Sequence, residues 1–97
     1  MPTDDFEWDA EKARDNFAKH GIHFADGIEA FWDPHAITLV DALTEVEKRY
    51  TTLAMDSLGR VVVVVYTWRQ DRIRIISARK ATAAERNRYG EGHETRI

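Results

Sequence analysis

Five consecutive valines, Val61–Val65, constrain the fold of this chain more than any other feature. β-Branched side chains favour extended backbone, and a run without polar alternation indicates a strand that is buried on both faces. The valines therefore predict a central strand over Arg60–Trp68. The apolar run ends at Tyr66 and is far too short to span a bilayer as a helix, so we expect no membrane-spanning segment and no membrane partner.

The residues around this strand alternate in polarity with a period of two, which is typical of strands with one buried face. Turn-forming residues precede the strand at Asp56–Gly59 and follow it at Arg69–Asp71. We expect the strands to form an antiparallel sheet of about four strands. The three further strands are predicted over Ala36–Asp41, Arg49–Met55 and Arg72–Lys80.

Two helices are predicted before the sheet. Asp9 is a favourable N-cap and Gly21 a favourable C-terminal stop, which together delimit a helix over Ala10–His20. A second helix is expected over Ala25–Trp32. It should end at Asp33-Pro34, since a residue that precedes proline is disfavoured in the α conformation.

A short third helix follows the sheet. Thr82 and Glu85 have the spacing of a capping box, which predicts a helix from Thr82 to about Tyr89. Residues 90–97, which begin with a glycine, are expected to be frayed. The chain is therefore predicted to be a single α+β domain over residues 1–97, with a core over about 6–89.

Charge is distributed unevenly along the chain. Residues 1–59 carry 5 Lys/Arg and 13 Asp/Glu, a charge of −8, whereas residues 60–97 carry 9 and 4, a charge of +5. The second half should attract anions and the first half cations, although an uneven solvated surface is an equally good reading of charge alone. The absence of cysteine and of a signal-peptide pattern at Met1–Asp9 predicts a cytoplasmic protein.

The last predicted strand, Arg72–Lys80, concentrates this positive charge, with four cations and no anion among its nine residues. Strict alternation would project Arg72 and Arg74 from one face, together with Ala78, and Arg79 from the other face with Ile73. The spacing of the first two arginines suits contact with adjacent phosphates. The alternative is an edge strand that is protected from aggregation by charge.

Neighbouring segments supply further candidate contacts to a nucleic acid. Arg69 in the hairpin and Arg86 in the last helix add phosphate-binding cations. Tyr66, Trp68 and Tyr89 have rings that can stack on unpaired bases, although each is also a candidate for the core. Trp68 lies near the hairpin tip and is the best candidate for an exposed ring.

Histidines are the other candidate functional groups. His20 and His23 flank Gly21, but no third ligand stands at a suitable spacing. We therefore predict no metal site, and nothing in the sequence indicates a cofactor. His20 suits proton transfer near neutral pH, and it suits equally well a capping role at the C-terminus of a helix.

Two long motifs resemble those of BrnT-type toxins, a family of small ribonuclease toxins. The resemblance extends over about residues 6–89. The opening motif is Phe6-Glu7-Trp8-Asp9 with Lys12-Ala13, Asn16, Lys19-His20-Gly21-Ile22 and Phe24, and the closing motif is Arg72–Thr82 with Glu85-Arg86 and Tyr89. Between them stand Phe31, Asp33-Pro34, Glu47, Arg49-Tyr50, Thr67 and Arg69 in the expected order.

This resemblance implies a RelE-like fold and RNA cleavage without a metal ion. It also implies inhibition by a cognate antitoxin of the BrnA type. Such an antitoxin typically carries a ribbon-helix-helix domain, so that the complex represses its own operon. Operator DNA would then be contacted only through the antitoxin.

Roles for individual residues follow as hypotheses from what RNA cleavage requires. An attacking 2′-hydroxyl is supplied by the RNA, so the enzyme must position the chain, transfer protons and stabilise negative charge. Arg72, Arg74 and Arg79 are the candidates for charge stabilisation. Lys19 and His20 are the candidates for proton transfer, with Glu85 as a weaker one that its capping box can occupy fully. The predicted RNA contacts are Arg49, Arg69, Lys80, Arg86 and Tyr89.

A departure from the family pattern keeps a second function open. Relatives often carry a His-Ser pair where this chain has Leu43-Thr44. If that histidine matters for cleavage, the chain could be a non-catalytic module that binds its antitoxin and acts in autorepression. Arg79 and Arg49 could instead pair with carboxylates of the acidic helices.

Overall fold

The computed structural model describes residues 5–41 and 48–94. The chain forms an α+β fold, which confirms the predicted class. The elements in order are β1 (Phe6–Glu7), α1 (Ala10–His20), α2 (Phe24–Glu29), a 3₁₀ turn (Ala30–Trp32), β2 (Ile37–Asp41), β3 (Arg49–Met55), β4 (Val61–Arg69), β5 (Arg72–Lys80) and α3 (Ala83–Glu94). Leu43-Thr44 lies outside the described residues.

The strands form a five-stranded sheet in the order β1-β5-β4-β3-β2. The valine strand β4 lies at the centre, as predicted. The prediction of about four antiparallel strands is wrong in one respect, because β1 pairs with β5 in parallel, with Phe6 opposite Ile73 and Glu7 opposite Arg74. A strand of two residues is too short to show a period in the sequence, so pattern reasoning missed it.

Both faces of the sheet are covered, which explains the unbroken valine run. Val62 and Val64 pack into a core beneath α1 and α2, with Phe24, Ile28 and other buried side chains. Val63, on the opposite face, packs with Leu53, Ala81 and Tyr89 beneath α3. We call these the α1/α2 face and the α3 face.

A β-bulge changes which face each β5 side chain occupies. Val65 pairs with Ser77 and Tyr66 with Ile75, so that Ile76 has no partner in the register. As a result Ile75 and Ala78 both point into the core on the α1/α2 face. The predicted strict alternation, which placed Ala78 with Arg72 and Arg79 with Ile73, is therefore wrong beyond this bulge. Arg79 shares the α3 face with Arg72 and Arg74.

The predicted ends of α1 are confirmed. The Asp9 carboxylate accepts hydrogen bonds from the N–H groups of Glu11 and Lys12 at 2.9 and 3.1 Å. Gly21 ends the helix in the left-handed conformation, at φ 71°, where a side chain would be strained. The first helix is thus fixed at both ends by the residues that the sequence indicates.

The other two helices differ from the predictions in their extent. The segment predicted as one helix over Ala25–Trp32 is an α-helix over Phe24–Glu29 that tightens into the 3₁₀ turn Ala30–Trp32. Helix α3 starts after the predicted capping box but continues to Glu94, beyond the predicted end near Tyr89. Gly90 is tolerated inside it because a glycine costs a helix only about 1 kcal/mol. None of the helices in residues 5–41 and 48–94 is long and apolar enough to cross a bilayer.

Candidate nucleic-acid interface

A row of arginines crosses the α3 face of the sheet beside β1. Residues that face each other in paired strands share a face, and the register places Arg69 opposite Arg72 and Thr67 opposite Arg74. The two strands are joined by a tight turn in which Gln70 and Asp71 have φ values of 52° and 70°. Arg72 and Arg74 therefore project from one face, as predicted. We call Arg69, Arg72, Arg74 and Arg79 the arginine row.

The short strand β1 partly neutralises this row. The Glu7 carboxylate lies between two guanidinium groups, 2.8 Å from Nη1 of Arg74 and 3.6 Å from Nε of Arg72. Arg72 also donates to the carbonyl oxygen of Phe6 at 2.9 Å. Both side chains keep solvent contact, with 45% and 29% of the Arg72 and Arg74 side chains exposed. The trio of charges thus retains one net positive charge at the surface.

Arg79 is paired more completely within the protein than Arg72 or Arg74 is. Its Nη1 and Nη2 donate to the two oxygens of Glu85 at 2.8 and 3.0 Å. Glu85 also accepts from the Thr82 N–H at 2.8 Å, and Thr82 accepts from the Glu85 N–H, which completes the predicted capping box. The hydrogen bonds from Arg79 are the main reason that the pKa of Glu85 is lowered to about 2, and Glu85 in turn raises the pKa of Arg79. The alternative in which Arg79 pairs with a carboxylate of the protein is thus the one observed, although the partner lies in α3 and not in an acidic N-terminal helix.

Helix α1 lies along the outer edge of β5 and is fastened there by Asn16. The Asn16 amide nitrogen donates to the carbonyl oxygens of Ala78 at 2.7 Å and Ile22 at 3.0 Å, and its oxygen accepts from the Ala78 N–H at 3.2 Å. The side chain is 8% exposed. A single buried amide therefore satisfies both backbone groups of Ala78, much as another strand would.

A groove of about 250 Å³ runs between α1 and β5. Lys19 and His20, the predicted proton-transfer residues, both line it, and we call it the basic groove. The full set of lining residues is Lys12, Asp15, Asn16, Lys19, His20, Ile76 and Ser77. The structure thus brings Lys19 and His20 together but does not place Arg72, Arg74 or Arg79 in the same groove.

Lys12 and Ser77 in this groove were not singled out from the sequence. A signal for Lys12 was available, because residues seven apart in a helix lie on the same face, as Lys12 and Lys19 do. Ser77 had no such signal.

The basic groove and the arginine row are neighbours along β5. The pKa of Asp9 is lowered chiefly by the N–H groups of Lys12 and Glu11, and further by the charges of Lys12 and Arg74. Arg74 therefore lies within electrostatic reach of the start of α1. Both groups lie along β5, and we call their cations together the band of cations.

The remaining predicted contacts are dispersed. Arg49 lies at the start of β3, and Lys80 lies at the end of β5, both exposed. Arg86 is exposed on α3 and donates to the Ala81 carbonyl oxygen at 2.9 Å. None of these three residues lines the basic groove.

Tyr89 does not suit its predicted role. Its ring is 6% exposed, and its hydroxyl donates to Oδ2 of Asp33 at 2.5 Å. Burial, followed by this hydrogen bond, raises the pKa of Tyr89. The prediction that Tyr89 stacks on a base is therefore wrong, since the ring is part of the core beneath α3. Trp68, by contrast, is 55% exposed, as predicted, whereas Tyr66 is buried.

Within residues 5–41 and 48–94, no group of three or more His, Asp or Glu side chains is arranged to hold a metal ion. The band of cations supplies side chains that can bind an anionic ligand. Such an arrangement suits a polyanion that follows β5.

Comparison with known proteins identifies related sequences and structures. Residues 8–85 match the sequence profile of the family described as "Ribonuclease toxin, BrnT, of type II toxin-antitoxin system". The fold is similar to the crystal structure of the Brucella abortus ribonuclease toxin BrnT, with 25% sequence identity and a TM-score of 0.62. The alignment covers 79% of this chain and 95% of the Brucella protein. No protein of curated function matches the chain significantly.

Proposed function

Because the chain belongs to the BrnT family of ribonuclease toxins of type II toxin–antitoxin systems, we propose that it is a metal-independent endoribonuclease that arrests growth by cleaving RNA in the cytoplasm. The observation that carries this proposal is the basic groove, which holds Lys12, Lys19 and His20 beside β5. These side chains can bind a phosphate and exchange protons without a metal ion.

The chemistry of RNA limits what the groove has to supply. The 2′-hydroxyl attacks the adjacent phosphorus, and the 5′-oxygen of the next nucleotide leaves. The protein must take a proton from the first group, give one to the second and stabilise charge on the phosphoryl oxygens. We assign the proton transfers to Lys19 and His20 and the charge stabilisation to Lys12, with Arg74 of the arginine row in support.

The arginine row and the exposed cations around it then hold the RNA on either side of the cleaved bond. Arg69 and Arg72 contact phosphates, and Trp68 at the hairpin offers a ring to an unpaired base. Arg49, Lys80 and Arg86 lie further out and extend the phosphate path. Arg79 supports this surface through Glu85 rather than by touching the RNA.

The family also implies an antitoxin. We propose that this antitoxin is of the BrnA type, with a ribbon-helix-helix domain that binds the operator. The toxin would then reach operator DNA only through its partner. Repression by the complex and inhibition of RNA cleavage would thus depend on one protein–protein contact.

Cleavage of total RNA by the purified chain in EDTA tests this function. We expect wild-type protein to cut RNA, and Lys19→Ala and His20→Ala to lose activity by roughly 10²- to 10³-fold, the effect of removing a group that acts on the transition state. Arg14→Ala is the matched control, because Arg14 is an exposed cation of the same helix that does not line the basic groove. It should retain activity within about twofold.

Two results would contradict the proposal. Intact RNA with a folded wild-type sample would favour the non-catalytic module that binds an antitoxin, which is consistent with the pairing of Arg72, Arg74 and Arg79 to carboxylates of the protein. Equal activity of Lys19→Ala, His20→Ala and Arg14→Ala would show that cleavage does not take place in the basic groove. A contaminating nuclease would also give equal cleavage by every variant, because it would be present in all of the preparations.

A further inference from the structure

A second cavity, of about 480 Å³, lies between the 3₁₀ turn and the end of β3. It shares no lining residue with the basic groove. We call it the acidic pocket. The lining residues are Glu29, Trp32, Asp33, Met55, Asp56 and Ser57.

The walls of the acidic pocket are apolar and accessible. Trp32 is 53% exposed and Met55 40% exposed. The Trp32 ring is steadied by Phe6, whose ring centroid lies 5.8 Å away. A large aromatic surface held open to solvent in this way is typical of a binding site rather than of a core position.

Two of the three carboxylates in the pocket are satisfied within the protein. Asp33 accepts hydrogen bonds from the Met55 N–H at 2.8 Å, the His35 N–H at 2.9 Å and the Tyr89 hydroxyl. These hydrogen bonds hold the pKa of Asp33 low against the opposing effect of burial, which is the largest single influence. Asp56 accepts from Nε of Arg60 at 2.9 Å and from the Leu58 and Arg60 N–H groups.

Glu29 is the exception. Among the described residues its carboxylate has no hydrogen-bond or ion-pair partner, and its Oε2 is out of contact with solvent. A carboxylate oxygen that is removed from water without a donor is costly. A ligand that donates to the other oxygen, Oε1, would therefore compensate the charge of a carboxylate that the described residues leave without a partner.

Charge restricts what this ligand can be. Asp26, Glu29, Asp33 and Asp56 surround the region with four negative charges, and Arg60, which pairs with Asp26 and Asp56, supplies one positive charge. The local balance of −3 repels phosphate and hence RNA. It attracts a cation, and the tryptophan favours one that can also stack on a ring.

We propose that the acidic pocket binds an arginine side chain of a partner protein. A guanidinium group is planar, stacks on aromatic rings and donates two parallel hydrogen bonds to one carboxylate. It would lie against Trp32 and donate to Glu29, while its aliphatic stem contacts Met55. We expect the antitoxin to supply this arginine. That expectation rests on the proposed function, whereas binding of an arginine by the acidic pocket does not depend on it.

Titration of the ¹⁵N-labelled chain with a short peptide, acetyl-Leu-Arg-Leu-amide, tests the proposal by NMR. We expect the indole N–H signal of Trp32 to shift with a Kd on the order of 1 mM, as suits a single anchoring side chain. Trp8 and Trp68 serve as internal references, because neither lines the acidic pocket. A peptide with citrulline in place of arginine keeps the shape and loses the charge, and it should bind roughly fivefold or more weakly.

Glu29→Gln tests the carboxylate that the proposal depends on. It should reduce binding of the arginine peptide to that of the citrulline peptide, whereas Glu11→Gln, an exposed acid of α1, should bind like wild type. No shift of Trp32 up to about ten times the expected Kd, equal binding of the two peptides, or unchanged binding by Glu29→Gln would each overturn the proposal.

RNA cleavage in EDTA by the same samples separates this inference from the proposed function. Glu29→Gln should cut RNA as well as wild type does, since Glu29 does not line the basic groove. Peptide binding without any RNA cleavage would support arginine binding by the acidic pocket and contradict the proposed ribonuclease activity. RNA cleavage without peptide binding would support the ribonuclease activity and contradict arginine binding by the acidic pocket.

Discussion

The carboxylate of Glu85 joins β5 to α3. Glu85 lies in the first turn of α3 and accepts one hydrogen bond from the N–H of Thr82, just before the helix, and two from Arg79, so that strand and helix are fixed to each other where the chain leaves the sheet. Glu85 was the weaker candidate for proton transfer. An acid with a pKa of about 2 is a poor proton donor at neutral pH, and Glu85 is better understood as a structural residue.

Glu85→Gln should destabilise the fold by about 1–2 kcal/mol at pH 7, less than the full pKa shift implies, because 38% and 31% of the Arg79 and Glu85 side chains are exposed. The folded pKa of about 2 lies below the ordinary 4.5. The contribution is therefore complete above pH 4.5 and disappears as the pH falls through 2. Urea unfolding of both proteins across this range should show the two stabilities converging at low pH. A constant difference would contradict the ion pair.

What the sequence could show about single residues depended on whether their partners were local. The capping box of Thr82 and Glu85 was predicted because both partners lie within one turn. Arg79 reaches Glu85 only because the bulge turns it to the α3 face, so this pair was not foreseen. Tyr89 was misjudged for a similar reason, since the carboxylate that binds its hydroxyl, Asp33, is 56 residues away in the chain.

Strands and helices were predicted better than their details. The bounds of β3 and β5 agree with the predicted Arg49–Met55 and Arg72–Lys80, because turn-forming residues follow β3 at Asp56–Gly59 and precede β5 at Arg69–Asp71. The bulge in β5 could not be predicted, since Ile76 continues the apolar pattern. Strand β1 is recognisable only by its pairing with Ile73 and Arg74. Both features lie beside the band of cations, so the candidate site is where the sequence was least informative.

Glu7 of strand β1 weakens the attraction of the arginine row for phosphate, because it pairs with Arg72 and Arg74. Glu7→Gln should increase the affinity for a fully 2′-O-methylated RNA, which cannot be cleaved, by roughly threefold to tenfold, because it frees Arg72 and Arg74 for phosphates. The fold should lose about 1 kcal/mol or less, since both partners keep contact with solvent. Fluorescence anisotropy and thermal melting measure the two effects. Glu11→Gln removes the same charge and frees no arginine, so an equal gain in that variant would refute the release of the row.

In the whole molecule, the uneven charge of the sequence is distributed over two surfaces, one basic and one acidic. Four of the nine cations of residues 60–97 lie on β5, the strand that also lines the groove of Lys12 and Lys19. The excess acids of residues 1–59 include Asp26, Glu29 and Asp33 around the acidic pocket. A net charge of −3 conceals this arrangement. At physiological salt, charges further apart than about 8 Å are largely screened, so an RNA phosphate at the arginine row responds mainly to the charges next to it.

The salt dependence of RNA binding should therefore reflect the arginine row and not the net charge. Each phosphate contact to a single strand contributes about −0.7 to the slope of log K against log [salt], so that Arg69, Arg72 and Arg74 together contribute about −2 to the slope. Arg72→Ala should make the slope shallower by about 0.7. Arg14→Ala changes the net charge equally but lies outside the band, and it should leave the slope as it is. Titrations of the 2′-O-methylated RNA from about 50 to 200 mM KCl measure both slopes, and equal effects of the two variants would show that RNA is attracted by the overall charge alone.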